Sequence, residues 1–250
     1  MRLKVATVNL SKGIDRWGER MPLVSAELVK ALPDIVGFQE VDLRIDQGNW
    51  LCRRVNDLRA FHVDTETEYS IHHMANPRDN ASIEALAIMT RLPMVEHEGL
   101  DYLVRQRVAH RARVDVGDGR YVDFVNTHFH HIKDAQGDKM RETQTTKLLR
   151  WLEKAQPRVP TIVVGDFNSE PPSHVVKLIK EQFRSAYEVS HGKEADSTRG
   201  GWWRPQPGES GGALDYIFVS RDVNVLEAAF FCDQPSADDA TLFPSDHVGV

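Results

Sequence analysis

Cysteine is scarce: the 250-residue chain has two, Cys52 and Cys232, outside any CxxC spacing. That argues against a disulfide framework and against a cysteine-built zinc site, and both residues read as small buried hydrophobes. Long apolar runs are also missing. No stretch approaches the ~20 apolar residues that a membrane-crossing helix needs, and the opening MRLKVATVNL lacks the apolar run and cleavage site of a signal peptide. A soluble, cytoplasmic protein is expected, with no stable protein partner evident. Nor is positive charge in excess: Lys and Arg total 31 against 37 Asp and Glu, a net charge of −6. This argues against a uniformly basic, nucleic-acid-coating surface and leaves a local basic groove open. Repeats, low-complexity stretches and internal linkers are absent, so one domain over residues 1–250 is expected, and 41% hydrophobic content suffices for a sizeable core.

What is present is a succession of strand-like runs at residues 3–8, 35–38, 85–89, 108–116, 121–126, 161–164, 214–219 and 223–230. Several are apolar on both faces, as strands covered on both sides are. Helical stripes lie between them. Val24, Leu28, Ala31 and Leu32 share a face over residues 22–32, with Pro22 near the start. Thr145, Leu148, Leu149 and Leu152 do so over 139–155, and Val175, Val176, Leu178 and Ile179 over 173–182. The Gly117-Asp118-Gly119 turn predicts a hairpin between residues 107–116 and 120–126. The least regular segment, residues 188–212, holds Trp202 and Trp203, and a loop of that length in a compact domain is more often functional than idle.

The informative pattern is where strands stop. They end in Val8-Asn9, Gln39-Glu40, Asn126-Thr127-His128, Asp166-Phe167-Asn168 and Asp215-Tyr216, and the chain closes near Ser245-Asp246-His247. Ligand sites in α/β sheets form where strands give way to loops. Glu40, Asp166, Asp215 and Asp246 are hard oxygen donors, and Asn9 and Asn168 add amides, a set suited to Mg²⁺ or Mn²⁺. His128 and His247 supply groups that titrate near neutral pH. Phosphoester hydrolysis needs such parts: a cation on the phosphoryl oxygens, a base for water, and a stabilised leaving oxygen. Each residue alone also has an ordinary reading, as a turn former, a solvated strand end or a helix cap. Six independent ordinary readings are strained together.

The motif series resembles the endonuclease/exonuclease/phosphatase family: VNL with Asn9, GFQE with Glu40, EALAIMTRLP at 84–93, VNTHFHH with His128, GDFNSEP with Asp166 and Asn168, LDYIF with Asp215, and SDHVGV with Asp246 and His247. The resemblance implies a four-layered α/β/β/α sandwich, of α/β (α+β) class, with two mixed sheets face to face and a Mg²⁺-dependent phosphoesterase site at one edge. It implies that Glu40 is the main metal ligand, assisted by Asn9 and Asp246. Asp166 and Asn168 would orient the attacking water and hold a phosphoryl oxygen. His247, partnered by Asp215, would contact the phosphate or act as base, and His128 would protonate the leaving oxygen with Glu84 fixing its tautomer. His131 and His128 stand where abasic-site endonucleases carry asparagine and tyrosine, which moves the expectation away from abasic-site repair.

Substrate choice lies in the loops. Arg107, Arg111, Lys139, Arg141, Arg199 and Arg204 are candidates to surround an anion, through the arginine fork especially. His131, Arg107, Trp202 and Trp203 are the residues assigned to substrate, the tryptophans as stacking surfaces or as pins for their loop. The expected activity is phosphodiester hydrolysis on a small molecule, a lipid head group or a nucleic acid. A DNA or RNA nuclease is the alternative within the family, and a catalytically inactive binding module on the same fold is the alternative from another class.

Overall fold

Strand alternation decides which side chains meet at the centre of this protein. The structure is a computed structural model that describes residues 2–12, 16–62, 67–75, 83–200 and 211–250. In chain order the elements are β1 (Val5–Asn9), α1 (Trp17–Ala31), β2 (Ile35–Asp42), α2 (Gln47–His62), β3 (Ser70–Ala75), β4 (Glu84–Thr90), β5 (Met94–Asp101), β6 (Val108–Asp115), β7 (Tyr121–His128), α3 (Ala135–Lys154), β8 (Thr161–Asp166), α4 (His174–Gln182), β9 (Phe183–Ser185), α5 (Ala186–His191) and β10 (Asp215–Ser220). They build two mixed sheets, β1-β2-β4-β3 and β5-β6-β7-β8-β10-β9. The pairs β1–β2 and β7–β8 are parallel and the others antiparallel.

Because successive side chains point to opposite faces, each buried strand feeds two cores. Ala6, Val8, Val36 and Phe38 pack outward against Val24 and Leu28 of α1 and Leu51 and Val55 of α2. Val125, Val163 and Phe218 pack outward against Leu148 of α3 and Val176 and Ile179 of α4. Their neighbours Ile35, Ile88, Phe124, Ile162, Val164 and Ile217 pack inward, sheet against sheet. The result is the expected helix, sheet, sheet, helix sandwich.

The inward layer turns polar toward one end. Gln39 Nε2 donates to Asn126 Oδ1 at 2.6 Å and to Thr7 Oγ1 at 2.9 Å, while Asn126 Nδ2 donates to the carbonyls of Phe38 (2.8 Å) and Ala87 (3.0 Å). All three side chains are buried. Gly37 makes the close approach possible: a Cβ there would sit 2.8 Å from Val164 Cγ2 and 2.9 Å from Asn126 Cγ.

The expected hairpin forms, with Gly117, Asp118 and Gly119 all at positive φ between β6 and β7. Helix α1 begins at Trp17, so Pro22 lies inside it rather than at its start. Residues 223–230 are not a strand, because β9 takes the free edge of β10; Val223, Val225, Ala228 and Phe230 instead pack irregularly on the inter-sheet core. Helix α2 and strands β3, β5 and β9 were not expected, since charge and histidine interrupt their apolar pattern.

Replacing Asn126 with Ala strands polar groups inside the sandwich, and a loss of about 3 kcal/mol is expected in urea unfolding; a loss under about 1 kcal/mol would refute the role given to this layer. His110, on the inward face of β6, gives a pH dependence. Burial, with His97, His72 and His73 nearby, pushes it down to about 3. The unfolded chain protonates this side chain below its ordinary ~6.5. Its contribution to stability is therefore complete above that pH and declines as pH falls from ~6.5 toward 3. Between pH 7 and 5 the wild type should lose about 1–2 kcal/mol more than His110→Leu, and parallel pH profiles for the two proteins would contradict this.

Candidate active site

One strand step beyond the polar layer, the same alternation delivers the candidate residues: Thr7 leads to Asn9, Asn126 to His128 and Val164 to Asp166, all facing inward at one end of the sheets. Asn9 Nδ2 lies 3.3 Å from Glu40 Oε1 and 3.2 Å from Asp166 Oδ2. His128 Nε2 stands 3.5 Å from the same Asp166 oxygen and 3.9 Å from Glu40 Oε1, and His247 Nε2 stands 3.9 Å from Asp166 Oδ2.

Two backbone irregularities aim these groups. The β2–β4 register shifts between Phe38 and Val41, where Glu40 adopts φ 55°, a costly conformation for a residue with a Cβ. Without the bulge Glu40 would follow Val36 and Phe38 outward; with it Val41 points outward and Glu40 turns to the cleft. Glu40 Oε2 accepts the Lys12 N–H at 3.0 Å. Gly165 sits at φ 135°, and a Cβ there would lie 1.9 Å from the Thr127 carbonyl oxygen. Only glycine lets β8 run this close to β7 at the site. Asn168, at φ 48°, donates its backbone N–H to Asp166 Oδ1 (2.8 Å) and its Nδ2 to the Phe129 carbonyl (3.1 Å).

His247 and Asp215 form a tight pair, Nδ1 to Oδ2 at 2.7 Å, with Thr198 Oγ1 donating to the same oxygen at 2.6 Å. Burial pulls His247 downward, yet Asp215, Asp166 and Asp246 outweigh it and raise the imidazole to about 10. Arg199 NH1 lies 2.9 Å from His247 Nε2. Asp166 responds oppositely: burial pushes it upward, and His128, His247, the Asn168 N–H and Arg199 hold it below the usual carboxylate range.

The expected Glu84–His128 contact is present but long, and it is shared. Glu84 Oε1 is 3.5 Å from His128 Nδ1, at the long limit of a hydrogen bond, and Arg107 bridges the two from beside this contact. Its NH1 donates to Glu84 Oε1 at 2.6 Å and lies 2.9 Å from His128 Nδ1. Arg107, assigned above to substrate, is thus engaged with the catalytic candidates. Lys12 Nζ adds an ion pair to Glu84 Oε2 at 2.8 Å. Burial raises the Glu84 pKa, but His128, Arg107 and Lys12 bring it well below the usual range.

A cavity of about 350 Å³ opens beside this group, lined among others by Lys12, Glu84, Arg105, Arg107, His128 and His131. Apart from Glu84 its charged lining is cationic, which suits an anionic ligand. Other expected anion binders lie elsewhere. Arg111 is buried against Asp123, Glu96 and Glu98, Arg141 holds the carbonyls of His130 and Ile132, and Lys139 is solvated. Trp202, Trp203 and Arg204 lie outside the described residues. Lys12 and Thr198 were missed. Lys12 stands two residues after the first motif, whereas Thr198 lies in an irregular loop with no pattern to mark it.

The donor set fits a hard divalent cation. Glu40 is 29% exposed and Asp246 half-buried, so an ion reaching them keeps part of its water shell. Asn9 is less suited than expected, because its Oδ1 accepts the Ser11 N–H at 2.9 Å and its NH2 faces the carboxylates. Among the described residues one group, Asp166, Asp215 and His247, brings three donor atoms within 4.8 Å of one another. In that group His247 Nδ1 is already committed to Asp215.

A model of the Endonuclease/Exonuclease/phosphatase family matches residues 6–247. Nocturnin of Xenopus laevis is 25% identical over 253 residues, an alignment covering 94% of this chain and 64% of that protein. The chain therefore spans less than two thirds of that relative. The structure of the human Nocturnin catalytic domain with bound sulfate anion superposes with a TM-score of 0.75 at 23% identity, covering 99% of this chain and 90% of that one. An endonuclease/exonuclease/phosphatase family protein from Bacteroides thetaiotaomicron gives 0.78 at 20% identity, with coverage of 99% and 95%.

The Gly165 geometry is directly testable. Gly165→Ala should cost about 3 kcal/mol or more, the range of severe backbone strain and steric overlap, read as the shift of the urea midpoint; a variant as stable as wild type would show that β7 and β8 do not approach this closely.

Proposed function

The chain belongs to the endonuclease/exonuclease/phosphatase family, whose three named activities all hydrolyse phosphoesters, and we propose that it is a divalent-cation-dependent phosphodiesterase, with Mg²⁺ as its ion and Mn²⁺ as a substitute. The observation that carries this reading is the convergence on Asp166 Oδ2, which faces His128 Nε2, His247 Nε2 and Asn9 Nδ2 at 3.5, 3.9 and 3.2 Å. A cation held by Glu40 and Asp246 supplies Lewis-acid polarisation of a phosphoryl oxygen when bound.

The remaining work falls to the protein. Asp166 keeps one oxygen on the Asn168 N–H and turns the other to the cleft, where it orients the attacking water and takes its proton. Asn9 spaces Asp166 from Glu40 by donating toward both. His247, anchored through Nδ1 on Asp215, directs Nε2 at a phosphoryl oxygen and donates to it. His128 faces the opposite flank. With Arg107 against Nδ1, its Nε2 serves as a donor to the leaving oxygen, and an alkoxide leaving group gains most from such a donor. That favours a diester over a monoester. The cationic cavity beside His128 accommodates the substituent on that side.

Hydrolysis of bis-p-nitrophenyl phosphate tests this. Turnover should require Mg²⁺ or Mn²⁺, stop with EDTA, and fall about 10²–10⁴-fold in kcat/KM for Glu40→Gln and for His247→Gln, while p-nitrophenyl phosphate is cleaved more slowly. Metal-independent turnover, or unchanged rates in both variants, would overturn the reading.

A further inference from the structure

Beyond the cationic cavity, which Met74 also lines, the edges of the two sheets face each other through histidines. His72 lies on the inward face of β3, opposite Ile88. His97 and His110 lie on adjacent strands β5 and β6, whose register pairs His97 with Ala112 and Gly99 with His110, so both rings project from one face toward His72. The ring centres of His72 and His97 are 5.7 Å apart, and those of His97 and His110 are 5.8 Å apart. Met74, also inward on β3, lays its sulfur over Gly99: a Cβ there would lie 2.7 Å from Sδ. Three imidazoles and a thioether thus gather from three strands of two sheets.

His110 is the anomaly. It is 0% exposed, and among the described residues neither ring nitrogen has a hydrogen-bond partner. A buried polar group left unpaired costs about 1–3 kcal/mol, so a missing partner for this ring is the economical explanation. A proton is a poor candidate, since burial and the neighbouring histidines oppose a charged imidazole at this position. A metal ion needs the lone pair that an uncharged imidazole offers.

We propose that His72, His97 and His110, with Met74 beside them, form a binding site for a borderline-to-soft transition-metal ion of the Zn²⁺ class, separate from the hard-cation site at Glu40. Two imidazoles on a tetrahedral ion with ~2.1 Å metal–nitrogen bonds have ring centres about 5 Å apart, so the His72–His97 and His97–His110 spacings each need to close by under about 1 Å. Among the described residues these nitrogens are not already drawn within 4.8 Å of one another, and ring rotation on the ion completes the site. His97 is exposed and supplies the entry path, His72 is half-buried, and His110 forms the floor. Nitrogen and sulfur donors select this class of ion over Mg²⁺, which prefers oxygen. Such an ion clamps β3 to β5 and β6, where the described residues offer no direct strand pairing between the sheets. The inference does not depend on the phosphodiesterase reading.

Calorimetric titration of chelator-stripped full chain with Zn²⁺, in excess Mg²⁺, tests it. One Zn²⁺ should bind per chain, bind equally in Glu40→Gln, and bind at least tenfold more weakly in His97→Ala and in His72→Ala, whose positions are solvent-accessible enough for both variants to fold. Co²⁺ should report the same site by the intense visible absorption of a four-coordinate ion, lost in the same two variants. Absence of Zn²⁺ binding, binding that vanishes in Glu40→Gln, or affinity unchanged in both histidine variants would overturn the proposal.

Discussion

The hydrogen bond from Gln39 to Asn126, at 2.6 Å and fully buried, is the constraint on which the rest depends. It ties β2 of one sheet to β7 of the other, and Asn126 extends the tie to the Phe38 and Ala87 carbonyls. A buried polar network of this kind has few acceptable arrangements, because a slipped register would leave several groups unpaired. It sets the height at which the sheets meet. Side chains one strand step further, Asn9, His128 and Asp166, inherit that alignment, and the site is the open end of the inter-sheet layer.

Crowding carboxylates there creates an electrostatic problem that the protein resolves with its own cations. Asp166 stands among His128, His247 and Arg199, and Glu84 is held by Arg107 and Lys12. Asp215 is joined to His247 and Thr198. Glu40 is different: its hydrogen bonds come from an amide and a backbone N–H, His128 Nε2 stands 3.9 Å away, and its side chain is 29% exposed. The carboxylate whose direct hydrogen bonds come from neutral groups is the one the family resemblance makes the metal ligand.

Backbone strain is concentrated in the same place. Glu40 and Asn168 adopt left-handed conformations, and Gly165 occupies one that a side chain would forbid. Such strain persists where surrounding structure over-determines it. Here the surroundings are two well-packed sheets whose alternating cores supply the rigidity.

Much of this was legible in the residues alone. Period-two alternation marked β6 and β7, the glycine-rich turn marked their hairpin, a β-branched run marked β8, and polar residues at strand ends marked nearly every group in the cleft. Weakly patterned pieces were not legible: α2, where Arg53 and Arg54 interrupt the stripe, and β3 and β5, whose histidines disguise edge strands. Local chemistry determined which residue types stand at each strand end, because strand period and turn preference act over a few residues. Only the tertiary structure decided that Glu40 turns inward at a bulge, that Arg107 bridges Glu84 and His128, and that Thr198 supports Asp215. Those outcomes depend on contacts between residues far apart in the chain, whose spacing is set by how the two sheets pack and by no local pattern.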